Sequence, residues 1–395
     1  MQSESAKPDS QEIFASAAFI DGRVQPARIS IKNGMITAVQ TGANASQVVS
    51  VAHDNQESIE LSGGVLSPGF IDLQINGFGG ADFAQSTPEQ WHAARQSLAK
   101  RGVTAVMPTV TSDEPSSQLR NVAAAAKINA QLNSGARILG YHLEGPFISE
   151  QFRGAHPTEK LRLPQGFNHS ALVHDVNVKL VTLAPELPGA LPLIKALKAA
   201  GKIVSIGHSA ASAEEAKLAA EAGATMVTHL YNAQTSLNHR EPGVVGTALT
   251  DERLTCGLIL DGIHVSAAAA KIAFASAPNR IALVSDAVAA AGMNVGSYKL
   301  GLDEIDVLAD GSVRRPDGAL AGSSKTLDQA LAFGLAAGIP LVELLKGMTT
   351  TPASLIGNGS IGSIRVGADA DLVWLQDPTS EQSNRRVWLA GAEVT

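Results

Sequence analysis

From Ser67-Pro68-Gly69 to about residue 350, short apolar runs alternate with Ala-rich stretches of helical length. The runs are GFIDLQI, AVMPTV, RILGYHLE, VKLVTLAPE, KIVSIGH, MVTHL, LTCGLILDGIHV and IALVSDAV. Between them lie segments such as PEQWHAARQSLAKRG, SSQLRNVAAAAKINAQL, LPLIKALKAAG and SAEEAKLAAEAG. Near-continuous apolar character marks strands buried on both faces. Parallel strands need a crossover between them, which a helix supplies. Eight such units predict an α/β fold of the (β/α)8 TIM-barrel type, whose usual length is about 250 residues.

The two ends of the chain share a different style. IFASAAFIDGRV and ARISIKNGMITAVQ alternate in polarity, with Asp21-Gly22 and Asn33-Gly34 as hairpin signals. IGSIRVGADADLVWLQ and RRVWLAGAEV close the chain in the same way. Residues 12–67 and 351–395 are therefore expected to form one small β-sandwich around a barrel of residues 68–350, with 1–11 as a disordered tail. Asp310-Gly311 and Asp317-Gly318 predict β-hairpins after the eighth barrel strand. A content of 45% hydrophobic and 17% charged residues supports a large core, and a net charge of −7 without a basic run argues against nucleic acid. No apolar run approaches the roughly 20 residues of a membrane span. The polar start MQSESAKPDSQ has no signal-peptide core. A single cysteine, Cys256, precludes an internal disulfide and fits a reducing compartment. The expected setting is the cytoplasm.

Active sites of such barrels lie at the C-terminal ends of the strands. Glu144 ends the third run, before Gly145-Pro146, while His208, His229 and Asp286 end the fifth, sixth and eighth. Singly, each has an ordinary alternative: a turn-binding carboxylate, a core histidine, or for Asp286 a helix N-cap. Together, Glu144, His208 and His229 make a ligand set for Zn²⁺ or a similar divalent ion with a position left for water. Asp286 is the candidate general base. Asn232, Arg240 and His264 are donors facing the same mouth and suit an anionic or polyhydroxylated substrate. Arg240 could equally pair with Glu241. Cys256, inside an apolar run, reads as core.

The words PGFIDLQINGFGG, GVTAVMPTVTS, HLEGPF with RGAH, GHS, THLYNA, HREPG, DGIHV, VSDA and LAGS recur in this order over residues 67–324. In this the chain resembles the amidohydrolase superfamily, and within it the N-acetylglucosamine-6-phosphate deacetylase family. The resemblance implies one divalent ion per subunit on Glu144, His208 and His229, with Zn²⁺ the leading candidate and Fe²⁺, Co²⁺ or Mn²⁺ as alternatives. It implies Asp286 as the acid/base for removal of the acetyl group of an amino-sugar phosphate. His156 would lie against the acetamide or sugar. Ala155, Asn232, Ala233, the loop Asp261-Gly262-Ile263-His264, and Leu320-Ala321-Gly322 would contact the sugar phosphate. Arg240 and His264 would reach the neighbouring subunit's substrate in a homodimer. Gln74 and Asn76 stand where many superfamily members carry two histidines, as vestigial second-metal positions. Gln234 and Lys325 depart from the family's words and are expected to bear on sugar preference, for instance for N-acetylgalactosamine 6-phosphate. Another N-acyl amide hydrolase of the superfamily is the alternative reading.

Overall fold

Both Asx-Gly pairs turn the chain as predicted. Asp21 and Gly22 have φ of 49° and 73°, and Asn33 and Gly34 have 52° and 80°, the positive values that a type I′ hairpin turn needs at both central residues. They connect β1 (Ser10–Ile20), β2 (Arg23–Lys32) and β3 (Met35–Thr41), after which come β4 (Glu57–Leu61) and β5 (Val65–Pro68). The computed structural model describes residues 10–42, 45, 57–300 and 303–394. Residues 1–9, most of the expected tail, and 43–44 and 46–56, within the expected sandwich, lie outside the described residues.

The barrel begins with β6 (Phe70–Ile75), followed by a small pair, β7 (Gly77–Phe78) and β8 (Ala81–Asp82). Next are β9 (Val103–Val110), β10 (Arg137–Ile138), β11 (Tyr141–Glu144), β12 (Val178–Leu183) and β13 (Ile203–Ile206). Then come β14 (Met226–Val227), β15 (Thr255–Ile259) and β16 (Ile281–Val284). An insertion supplies β17 (Gly296–Leu300), β18 (Asp303–Val307), β19 (Ser312–Arg314) and β20 (Leu320–Ser323), and the chain ends with β21 (Leu372–Leu375), β22 (Arg385–Leu389) and β23 (Ala392–Glu393).

Parallel pairing runs β6-β9-β11-β12-β13-β14-β15-β16. The ring closes where Asp286 N donates to Gln74 O at 2.9 Å and Asn76 N to Ala287 O at 2.7 Å. The expected third run is split into β10 and β11 at Gly140, whose φ is 133°. Outside the ring, helices begin at built caps: Ser212 and Glu215 form a capping box, as do Thr87 and Gln90, each cap worth about 1 kcal/mol. The helix Ala213–Ala222 buries Ala216, Ala219 and Ala220, a small-residue stripe on its inward face.

The barrel interior is layered. Its base is apolar, with Ile71, Leu73, Met107, Leu180, Met226, Ile259 and Val284 in one cluster, as in most such barrels. One level higher the interior turns polar, with Thr109, His142, Thr182, Ser205 and Thr228 all 2% exposed or less. Above that layer the strand ends carry the site.

The strands from both chain ends form one eight-stranded sheet in the order β23-β22-β21-β5-β1-β2-β3, with β4 beside β1. It wraps as a small β-sandwich around Ile13, Ile29, Ile31, Ile36, Leu66, Leu372 and Trp388. Two boundaries differ from expectation. Strand β1 takes in Ser10 and Gln11, paired with Lys32 and Ile31, because Gln11 is buried and its Nε2 donates to Gly391 O. At the other end, Thr350–Leu355 is a helix, and Ala353 and Ile361 join the apolar base of the barrel. The sandwich core takes over only at Ile364. Among the described residues, no helix is long and apolar enough to cross a membrane.

Candidate active site

Three of the four expected site residues stand two positions beyond a strand, in left-handed backbone. His208 follows β13 with φ 48°, His229 follows β14 with φ 28°, and Asp286 follows β16 with φ 49°. Each such conformation costs a non-glycine residue on the order of 1–3 kcal/mol and persists only where surroundings over-determine it. Here the backbone is pinned on both sides: Gly207 N to Leu183 O, Ser209 N to Ala233 O, Leu230 N to Gly257 O, and Asp286 N to Gln74 O. The sharp turn aims each side chain inward over the barrel axis. Glu144 needs no such turn, being the last residue of β11.

These side chains converge. Glu144 Oε1 lies 3.4 Å from His208 Nε2 and 3.2 Å from His229 Nε2, and the two Nε2 atoms are 3.1 Å apart. Ligands at 2.0–2.1 Å from a tetrahedral zinc ion are separated by about 3.3 Å, so this triangle has the dimensions of one face of such a site. His156 approaches too: with Glu144 and His208 it offers ligand atoms all within 4.8 Å, its Nε2 being 4.0 Å from Glu144 Oε2.

Hydrogen bonds distinguish the two histidine candidates. His156 Nδ1 accepts from Ser112 N at 3.2 Å, so the proton of a neutral ring sits on Nε2, a donor rather than a ligand. His208 Nδ1 donates to Phe152 O at 2.8 Å, which leaves its Nε2 lone pair free for a metal. Burial, and next the nearby His208, push the His156 imidazole down to about 3. Burial also acts on Glu144, but the adjacent His208 and His229 rings outweigh it and hold the carboxyl well below its usual range. The donor set therefore fits a divalent cation: one anionic oxygen and two imidazoles, buried together.

Asp286 is held on one side. Asn76 Nδ2 donates to its Oδ1 at 2.8 Å and Gln74 Nε2 at 3.3 Å. Gln74 Nε2 also reaches Glu144 Oε1 at 2.9 Å. The two amides thus tether carboxylates at the positions where two histidines were the alternative. Burial, and next the Glu144 charge, raise the Asp286 carboxyl to about 6.

The expected residues gather unevenly. Asn76, Glu144, Ala155, His156, His208, His229, Asn232, Ala233, His264, Asp286, Leu320, Ala321 and Gly322 line one cavity of about 350 Å³. Gln74 lies buried behind it. Asp261 stands outside the lining: its Oδ2 accepts from His264 Nδ1 at 2.7 Å and from Ser323 Oγ at 3.0 Å, and its Oδ1 from the backbone N–H groups of Ile263 and His264. Burial opposes its ionisation, but the His264 bond prevails and holds the carboxyl down at about 2. Gly262, with φ 77°, and Ile263 complete that turn. This clamp places His264 in the wall of its own chain's cavity. Arg240 is exposed on the loop after β14, outside the cavity.

Gln234 stands outside the cavity lining. It is buried, and its Nε2 donates to Thr228 O and His229 O at 3.2 Å each. It therefore braces the His229 turn rather than lining the cavity, and Lys325 pairs with Glu381 at 3.6 Å. Sequence reasoning missed Ser112, which orients His156, and His142 beneath Glu144. For His142 the signal was present, since strand alternation puts residues i and i+2 on one face.

Comparison with known proteins places this geometry. Residues 65–392 match the Amidohydrolase family. The N-acetylglucosamine-6-phosphate deacetylase of Rattus norvegicus is 38% identical over 358 residues, covering 85% of this chain and 86% of that protein. The N-acetylgalactosamine-6-phosphate deacetylase of Shewanella sp. (strain ANA-3) is 37% identical over 374 residues, covering 92% and 90%. The structure of a Mycobacterium smegmatis N-acetyl-D-glucosamine-6-phosphate deacetylase mutant, in complex with N-acetyl-D-glucosamine-6-phosphate, superposes with a TM-score of 0.87 at 30% identity, over 98% of this chain and 99% of that one. The chain belongs to the amidohydrolase family and, within it, to the N-acetylglucosamine-6-phosphate deacetylases.

Proposed function

We propose that this protein hydrolyses the acetamide of N-acetylglucosamine 6-phosphate to acetate and glucosamine 6-phosphate, with Glu144, His208 and His229 holding one divalent ion. The observation that carries this reading is the triangle of free ligand atoms with Asp286 tethered beside it. A cation bound there, with Zn²⁺ ahead of Fe²⁺, Co²⁺ or Mn²⁺, supplies Lewis acidity, polarising the carbonyl and lowering the pKa of a water.

The chain's own groups do the rest. His156 Nε2–H donates to the acetamide oxygen as negative charge develops there. Asp286 Oδ1 is engaged by Asn76 and Gln74, so Oδ2 takes the proton from the attacking water. The new bond joins water oxygen to carbonyl carbon. The C–N bond then breaks, and Asp286 returns the proton to the departing sugar nitrogen. Ala155, Asn232, Ala233 and Leu320-Ala321-Gly322 wall the sugar, and His264, oriented by Asp261, faces the phosphate. Arg240 joins it from a second copy of the chain, which makes the working unit a homodimer. A phosphorylated sugar is retained inside a membrane by its charge, so we place the enzyme in the cytoplasm.

The test is acetate release from N-acetylglucosamine 6-phosphate, its galactosamine epimer and unphosphorylated N-acetylglucosamine. Release from the first is expected, and none from either phosphate ester by metal-replete protein would refute the reading. The near-equal identity to the Shewanella galactosamine enzyme favours the epimer as second substrate. Arg240→Ala should raise KM for the phosphorylated substrate about 10- to 100-fold, the worth of a charged hydrogen bond, while sparing any turnover of the unphosphorylated sugar. Equal losses on both would remove Arg240 from phosphate recognition. Asn76→Leu deletes a bond that lowers the Asp286 pKa. Because the base works deprotonated, the acid limb of the kcat–pH profile should move to higher pH; an unmoved limb would mean that Asn76 does not tune the base.

A further inference from the structure

The polar layer inside the barrel is a single hydrogen-bonded chain across five strands' worth of backbone. Thr109 Oγ1 of β9 meets His142 Nδ1 of β11 at 3.2 Å, and His142 Nε2 meets Thr182 Oγ1 of β12 at 2.7 Å. Thr182 Oγ1 meets Thr228 Oγ1, just past β14, at 2.7 Å, and Thr228 Oγ1 meets Ser205 Oγ of β13 at 2.5 Å. None of these groups reaches the cavity, so none binds substrate.

Apolar side chains of matching volume would fill this space at comparable stability, because a buried hydrogen bond has a small net worth. A hydrogen bond, however, has a preferred length and direction that apolar packing lacks. The chain's links fall where that direction matters. His142 is two residues before Glu144, Thr228 is adjacent to His229, and Ser205 is three residues before His208. Backbone bonds continue the same ties, from Gly145 N to Thr182 O and from Thr228 N to Ile206 O. The packing is tight at this level: a Cβ on Gly207, next to His208, would stand 2.7 Å from Thr228 Cβ and 2.8 Å from Thr182 Cγ2. A shift of one strand relative to its neighbour would break a link, and would open the 3.1–3.4 Å triangle above.

We propose that this buried chain, centred on Thr182, positions the metal ligands: it fixes the relative stagger of β11, β13 and β14, and so sets how tightly Glu144, His208 and His229 together hold a divalent ion. The proposal rests on the assignment of those three residues as ligands. Its test is removal of Zn²⁺ from the loaded, full-length protein by a series of competing chelators, together with the visible spectrum of the Co²⁺-loaded form. Thr182→Val keeps the shape of the side chain and severs two links. It should weaken Zn²⁺ binding about tenfold or more, the usual scale for groups that orient ligands, and alter the Co²⁺ spectrum. Thr182→Ser restores the hydroxyl and should hold Zn²⁺ within about threefold of wild type.

Thr109→Val, which cuts only the terminal link, should give a smaller loss and guards against a Thr182→Val protein that fails to fold. If both valine variants keep the wild-type Zn²⁺ affinity and Co²⁺ spectrum, even with a lowered Tm, the chain is structural and the proposal is overturned. If the serine variant loses as much affinity as the valine one, the hydroxyl is not the cause, and it is again overturned. A wild-type protein that binds no Zn²⁺ or Co²⁺ would instead refute the ligand assignment beneath it.

Discussion

Asp286→Asn should lower kcat by about a thousandfold while leaving the metal content unchanged. Asparagine keeps the shape of the side chain, and its carbonyl oxygen can still accept from Asn76, so the turn that carries it is not disturbed. What it loses is the ability to take a proton from water and deliver it to the leaving nitrogen. A positioned general acid–base contributes 10²- to 10⁴-fold, and a thousandfold corresponds to about 4 kcal/mol of transition-state stabilisation. The same substitution should not destabilise the metal-free fold. The native carboxyl is raised from 3.8 to about 6, chiefly by burial. A raised acid means that the folded state binds more protons than the unfolded one between those values, so its contribution to stability falls as pH rises through that window. At neutral pH holding the buried charge costs the fold on the order of a few kcal/mol, which the amide relieves. The measurements are steady-state kinetics, metal analysis and Tm of the metal-free protein. An active variant, or one that has lost its metal, would remove Asp286 from the role of base.

His229→Ala should lose metal and activity together, whereas His156→Ala should lose activity and keep the metal. The contrast matters because His156 and His229 both approach Glu144 and His208. His156 spends its Nδ1 lone pair on Ser112, so its other nitrogen carries hydrogen and polarises substrate. His229 Nε2 completes the compact triangle. Lewis-acid stabilisation worth several kcal/mol makes the expected fall in kcat/KM for His229→Ala on the order of a thousandfold or more. Metal stoichiometry in the two purified variants decides the matter: a metal-free His156→Ala protein beside a loaded His229→Ala one would exchange their roles.

Much of the barrel was legible because its strands are buried on both faces and end in chemistry. Glu144 before Gly-Pro, and His208, His229 and Asp286 after apolar runs, marked strand ends by contrast alone. The hairpins were legible because Asx-Gly has one favoured turn. The left-handed backbone at His208, His229 and Asp286 was not, since sequence signals that conformation by glycine or asparagine, and here it is imposed by neighbouring strands. The hold on His264 was not legible either, because it depends on a hydrogen bond to an Asp three residues earlier that spacing alone does not signal. The boundary between Ile361 and Ile364 was invisible because both are isoleucines in similar text, and only packing assigns one to the barrel and one to the sandwich.

Strand β21 lies antiparallel along β5, with Leu372 opposite Pro68 and Leu375 opposite Val65. On the ribosome these partners emerge roughly 300 residues apart, which at 5–20 residues per second is a wait of roughly 15 to 60 s. Throughout that interval the first five strands exist with one edge of β5 unpaired and Leu66 lacking its cover from Leu372 and Trp388. The nascent chain must therefore shelter an open, apolar strand edge until almost its last residues are made. A chain stopped short of Leu372 would leave that edge permanently available to other polypeptides, so premature termination is expected to yield aggregate rather than a soluble barrel.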